Sequence, residues 1–173
     1  MSHAGGRAWV LGDDVNTDML APGGYMKFAI DEIARHCLEV AVPGFAASVQ
    51  AGDVVVGGRN FGAGSSREQA PAALKHLGVA GVVAASFAGI FYRNAFNLGL
   101  PLLVCAEAAT IADGDRLRLD FAGGRIENLT RATALACQPI PPHLLQMVED
   151  GGLLPHLEKR LRREREEAAV SPG

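Results

Sequence analysis

Cysteine is scarce and dispersed: Cys37, Cys105 and Cys137 are the three in a chain of 173 residues, each set inside an apolar pattern. An odd, scattered set makes no disulfide framework and excludes a metal cluster held by a C-x-x-C pair in this chain. It favours buried thiols in a reducing cytosol. Long hydrophobic runs are also missing, so no segment is expected to span a membrane. The opening Met1-Ser2-His3-Ala4-Gly5-Gly6-Arg7 lacks the charged-then-apolar plan of a signal peptide. There is no surplus of positive charge either. The 16 basic residues face 19 acidic ones for a formal charge of -3, which argues against a sequence-independent grip on nucleic acid. His3, His36, His76, His143 and His156 are scattered, with no pair at ligand spacing on one helix, and all five read as non-catalytic. The expectation is a cytoplasmic protein with neither a nucleic-acid nor a membrane partner.

What is present makes a folded core. Hydrophobic residues are 49% of the chain and charged residues 20%, which places it among globular proteins rather than disordered ones. Length and the absence of an internal repeat predict one domain over residues 1–173, with a core at about 7–140 and a helical extension at 143–167. Arg7 to Leu11 reads as a first strand, leaving into the turn chemistry of Gly12 to Asp18. Pro22 to Phe28 reads as a flexible loop carrying one aromatic residue and one cation. A helix is predicted from Asp31, since Ile30, Ile33, Ala34, Cys37 and Leu38 share a face, and Pro43-Gly44 is expected to end it. Strands at 53–56, 81–86 and 101–105 alternate with helices at 65–77 and 88–98, the pattern of a parallel β/α sheet. Then the character changes: 116–121 and 125–129 alternate polar and apolar residues around Ala122-Gly123-Gly124, a hairpin. Residues 134–137 can add a strand. The segment from His143 is helical with a break at Gly151-Gly152, and 168–173 is expected to fray.

The most informative stretch is Gly57-Gly58-Arg59-Asn60-Phe61-Gly62-Ala63-Gly64-Ser65-Ser66-Arg67-Glu68-Gln69-Ala70. It links a buried strand to a helix read as opening at Ser65. A helix start offers unpaired N–H groups and a positive dipole end, a seat for an anion. The stretch lacks the Gly-Lys-Ser/Thr of a P-loop, the third glycine of a dinucleotide fingerprint, and the glycine that a nucleophile elbow needs where Arg67 stands. A capping box of Ser65 with Glu68, or of Ser66 with Gln69, fits the same residues. Capping leaves three glycines, the second serine and Arg67 without a role. On residue chemistry alone, anion seat and capping box both stand.

Gly58 to Ala70 resembles the signature of the mobile swivel domain of the aconitase superfamily. More narrowly, it resembles the separate small subunits of 3-isopropylmalate dehydratase and homoaconitase. Asp14-Val15-Asn16-Thr17-Asp18 is similar to that family's first-strand loop, and Ile90 to Pro101 to its later helix-strand motif. The resemblance runs in order over residues 7–140. It implies a β/β/α swivel domain of the aconitase C-terminal type, with a mixed sheet or partly closed barrel flanked by helices. It also implies a large-subunit partner, in a heterodimer or heterotetramer, that carries a 4Fe-4S cluster, with no cofactor in this chain. The activity implied is a hydro-lyase that isomerises a 2-hydroxy dicarboxylate by dehydration and rehydration, as 2-isopropylmalate to 3-isopropylmalate in leucine biosynthesis. Homoaconitase and dimethylmalate- or citraconate-type dehydratases are the variants.

The resemblance assigns roles residue by residue. Ser65 takes the place of the base, acting as an alkoxide. Ser66 and Arg67 take the substrate carboxylate, Arg67 through a two-pronged fork that lysine cannot copy. Thr17 and Asp18 match the Thr-Asp pair facing the site. Lys27 stands in the loop that reads the variable substituent of the substrate. A cation there favours an extra carboxylate, whereas the isopropylmalate enzymes tend towards an apolar residue. A regulatory carboxylate-binding module and a purely structural lid are the rival readings. Neither needs Ser65 together with Arg67.

Overall fold

The computed structural model describes residues 3–171. Seven strands form one mixed sheet in the order β4-β3-β2-β1-β5-β6-β7. The parallel half is β1 (Gly6–Val10), β2 (Val54–Val56), β3 (Gly81–Ala84) and β4 (Leu102–Val104). Its inner strands β2 and β3 are buried along their whole length, which is why they read as unbroken apolar runs. Parallel neighbours need crossovers. Helix α4 (Gln69–His76) joins β2 to β3, and α5 (Gly89–Asn97) joins β3 to β4.

The antiparallel half is β5 (Arg116–Asp120), β6 (Arg125–Asn128) and β7 (Thr133–Ala136). In β5, Leu117 and Leu119 point inward while Arg116, Arg118 and Asp120 face solvent. The two halves are spliced where β1 pairs with both β2 and β5. Beside that splice Gly6 faces Gly52 so closely that a Cβ would lie 1.9 Å from the Gly52 carbonyl oxygen. Between a mixed sheet and a partly closed barrel, the chain takes an intermediate course. The sheet curls until its two edges touch, Gln138 N–H donating to Val104 O at 2.9 Å and the Cys105 thiol to Ala136 O at 3.6 Å. At this seam the half-buried Cys137 thiol is hydrogen-bonded to the Cys105 sulfur, which holds the Cys105 thiol below the usual cysteine range. Cys37 and Cys105 are buried as expected; Cys137 lies half-open because it leaves an exposed edge strand.

Three expectations need correction. The helix predicted from Asp31 is α2 (Ile30–Arg35), and it ends eight residues before Pro43. Leu38 takes a left-handed backbone conformation (φ 58°) and donates its N–H to Met19 O, so Cys37 and Leu38 reach the core from a turn. A further short helix, α3 (Phe45–Ser48), follows. The helix read as opening at Ser65 begins only at Gln69, with consequences for the site. Finally, α6 (Pro142–Glu149) and α7 (Leu153–Val170) flank the expected break at Gly151-Gly152, but α7 continues through Ala168 to Val170 rather than fraying there. Pro172 and Gly173 lie outside the described residues.

One carboxylate staples the start of the sheet. Asp53, almost fully buried, accepts from Trp9 Nε1 at 3.0 Å, Gln50 N at 2.9 Å and Arg7 N at 3.2 Å. Removing it leaves three donors without an acceptor, at about 1–3 kcal/mol for each that stays buried. Asp53→Ala is therefore expected to lose about 3 kcal/mol or more of unfolding free energy in a urea titration. A loss below about 1 kcal/mol would show that water replaces the carboxylate.

Candidate functional site

The site is built by loops that leave the carboxyl ends of β1, β2 and β3, the end at which parallel sheets present ligand sites. These loops stay hydrogen-bonded to one another after the strands have ended. Leu11 N–H donates to Val56 O, Gly58 N–H to Gly12 O, Asp14 N–H to Arg59 O, Gly62 N–H to Val15 O and Thr17 N–H to Ala63 O. A parallel bridge pairs Asn16 with Ala63, and another pairs Phe61 with Phe87 from the loop after β3. Five residues lie between Val10 and Asn16, but six lie between Val56 and Ala63. The second loop absorbs its extra residue through left-handed conformations at Asn60 (φ 57°) and Gly62 (φ 86°). Gly62 also has no room for a side chain, since a Cβ would sit 2.2 Å from the Phe91 ring.

This zipper delivers Thr17, the first residue of α1 (Thr17–Leu20), against Ser65. Thr17 Oγ1 accepts from Ser65 N–H at 3.1 Å and lies 3.2 Å from Ser65 Oγ. Thr17 is buried; Ser65 and Ser66 are exposed. The capping-box reading does not hold. Glu68 is the N-cap of α4 and makes no side-chain cap, while Ser65 spends its hydroxyl on Thr17, 48 residues away in sequence. With the helix starting four residues later, the backbone N–H groups of Ser66, Arg67 and Glu68 form a run that donates to nothing in the chain among the described residues. Three successive free amides are an anion-binding arrangement in their own right. Asn94 of α5 fixes this run from below, its Nδ2 donating to Ser66 O at 3.1 Å.

Arg67 is half-buried and held by one nitrogen. Nη1 donates to Asp18 Oδ1 and to Ala21 O, each at 3.1 Å. Asp18 is exposed and also accepts from Gly23 N–H at 2.9 Å, and this bond followed by Arg67 draws its carboxyl below the usual range. Among the described residues Nε and Nη2 of Arg67 make no protein hydrogen bond. The fork is oriented by Asp18 and left with donors to spare.

Beside these groups lies an open cleft of about 700 Å³ lined by Ser65, Ser66, Arg67, Glu68 and Gln69 on one side and by Ile30, Ala72 and Leu98 on the other. Among the sequence-predicted residues, Ser65, Ser66 and Arg67 line it, and Thr17 and Asp18 support them from behind. Lys27 is not brought to the cleft wall. It sits exposed on the turn before α2 and makes no hydrogen bond or ion pair among the described residues. That turn is steadied by Tyr25, whose ring stacks on His36 at 3.6 Å between centroids. The sequence reading missed the apolar wall of Ile30, Ala72 and Leu98, which comes from three separate helical segments and carries no local signature.

No group of three His, Cys, Asp or Glu side chains among the described residues could hold an ion. Nor is any helix of the described residues long and apolar enough to cross a membrane.

Comparison with known proteins agrees with this geometry. Residues 41–107 match the aconitase C-terminal domain. The methanogen homoaconitase small subunit of Methanothermobacter thermautotrophicus is 50% identical over 90% of this chain and 91% of its own length. The 3-isopropylmalate dehydratase small subunit of Moorella thermoacetica is 46% identical over 91% of this chain and 96% of its own. The crystal structure of a 3-isopropylmalate dehydratase from Methanocaldococcus jannaschii superposes with a TM-score of 0.91 at 38% identity, over 96% of this chain and 99% of that one. A strand-end zipper, a Ser-Ser-Arg cleft and near full-length likeness converge: the chain belongs to the aconitase-type family of 3-isopropylmalate dehydratase and homoaconitase small subunits.

Proposed function

We propose that this chain supplies one wall of the active site of a cytoplasmic hydro-lyase, moving as a single swivel domain that closes over a large subunit. The reaction removes a proton from the carbon next to a carboxylate, expels hydroxide from its neighbour, and re-adds water with the positions exchanged. Ser65 Oγ takes the proton in one direction and returns it in the other. Arg67 forks onto a substrate carboxylate through its unused donors, and Ser66 with the free amides of 66–68 completes that anion's shell. Departure of the hydroxyl is assigned to the large subunit, which would hold the 4Fe-4S cluster, since no donor set among the described residues of this chain fits one.

The observation that carries this reading is the exposure of Ser65 and Ser66 beside an oriented arginine. A serine hydroxyl left in water is a poor base, because near neutral pH it keeps its own proton. Covered by a partner, the same group would sit in a low-dielectric space among fixed donors, where charge stabilisation is far stronger. For substrate, the apolar wall of Ile30, Ala72 and Leu98 suits the branched substituent of 2-isopropylmalate. Lys27 favours the second reading, an extra carboxylate as in homoaconitase-type substrates, and gains force only if closure carries its turn towards the cleft.

The test mixes this chain anaerobically with its large subunit and assays both substrate classes. The large subunit alone is expected to be inactive, and activity without this chain would overturn the proposal. Ser65→Ala should lower kcat by about 10²–10⁴-fold with assembly intact, and Arg67→Lys should lower kcat/KM by about 10²-fold. Lys27→Val should raise the preference for isopropylmalate over homocitrate-type substrates; an unchanged ratio removes Lys27 from substrate reading.

A further inference from the structure

Resemblance places Thr17 among the groups that face substrate, but its contacts give it another task. Its side chain is 3% exposed, and Oγ1 has two close polar neighbours, both on Ser65. The Ser65 N–H fills one acceptor site of Oγ1 from 3.1 Å, and the Ser65 Oγ lies 3.2 Å away. We infer that Thr17 is the positioning residue of the base, the hydroxyl donor that holds Ser65 Oγ when Ser65 has given up its proton. This rests on the reading of Ser65 as the base.

The direction of the bond follows from counting hydrogens. Between two neutral hydroxyls either oxygen can donate. An alkoxide has no hydrogen to give, so in the reactive state Thr17 must be the donor and Ser65 the acceptor. A hydrogen bond to an ionised acceptor is roughly twice as strong as one between neutral groups. The pair therefore favours the anion of Ser65 over its neutral form, the direction a base needs. Burial sharpens the effect, because water cannot turn the Thr17 proton elsewhere.

The surrounding backbone holds Oγ1 in place. Thr17 N–H is tied to Ala63 O at 2.8 Å, so the threonine and the serine loop cannot slide apart. Gly64, at φ 115°, lets the loop pass so near that a Cβ there would stand 2.9 Å from Thr17 Oγ1. A β-branched residue also keeps its χ1 fixed where serine would rotate. None of these contacts involves the cleft itself: Thr17 is absent from its lining.

The test uses the reconstituted two-chain enzyme and compares Thr17→Val, Thr17→Ser and Ser65→Ala. Thr17→Val keeps the shape and removes the donor. It should lower kcat about 10–100-fold with KM changed less than about 3-fold, and should move the ascending limb of the pH–rate profile about one to two units towards alkaline pH. Thr17→Ser keeps a donor and should stay within about 3-fold of the wild-type kcat, on a nearly unshifted profile. Circular dichroism and co-elution with the large subunit check that each variant folds. If Thr17→Val does not fold, Thr17→Ala takes its place, with the same profile expected. A raised KM at unchanged kcat would make Thr17 a substrate contact and overturn the inference. Equal losses in Thr17→Val and Thr17→Ser with an unshifted profile would also overturn it, reducing Thr17 to a packing role. Full activity in Ser65→Ala would sink the assignment of the base itself. Inactive Ser65→Ala beside unaffected Thr17→Val would sink only the present inference.

Discussion

The site depends on backbone hydrogen bonds that continue after the sheet has ended. Loops usually diverge once they leave their strands, and side chains on them hold position only by local turns. Here the loops after β1 and β2 remain paired from Leu11 as far as Thr17, and Phe61 is paired in turn to the loop after β3. Rigidity made in the core at Val54–Val56 is thus carried outward to Ser65. A reactive hydroxyl needs placement to within a fraction of an ångström, and a free glycine-rich loop would not supply it. The glycines of this loop are positions where partner atoms crowd in: the Phe91 ring against Gly62, and Thr17 Oγ1 against Gly64.

A second constraint is electrostatic. Arg67 is tethered at Nη1 by Asp18 and Ala21 O, and Asp18 is in turn fixed by the Gly23 amide. One carboxylate therefore orients the fork and the turn that leads towards Lys27 together. The ion pair adds little stability, because Asp18 is open to solvent. Under the proposed function its value lies in direction, pre-arranging the guanidinium so that an arriving carboxylate would meet donors already aimed. Cover from a partner chain would then strengthen each of these interactions without moving them.

Much of this was legible in the residues. The apolar runs at 53–56, 81–86 and 101–105, with helices between them, gave β2, β3, β4 and their crossovers, and the Gly123-Gly124 hairpin gave β5 and β6. Ser65, Ser66 and Arg67 stood out because three glycines, two hydroxyls and a guanidinium exceed what a cap requires. What failed were features decided by distant partners. The helix expected to open at Ser65 starts at Gln69, since Thr17 from 48 residues upstream takes the Ser65 hydroxyl and amide. The helix from Asp31 was extended too far because Cys37 and Leu38 keep the apolar spacing; a left-handed Leu38 bound to Met19 O breaks it without glycine or proline to announce the break. The seam between Val104 and Gln138 likewise follows from sheet curl, which no single strand encodes.

The most direct measurement follows the proton. Incubated in deuterated water with its large subunit and 2-isopropylmalate, the complex should place solvent deuterium on the carbon beside the carboxylate, as read by mass spectrometry of recovered substrate. If Ser65 is the base, the Ser65→Ala complex will assemble and bind substrate but leave that carbon unexchanged. Deuterium incorporation at an undiminished rate in Ser65→Ala would contradict the account.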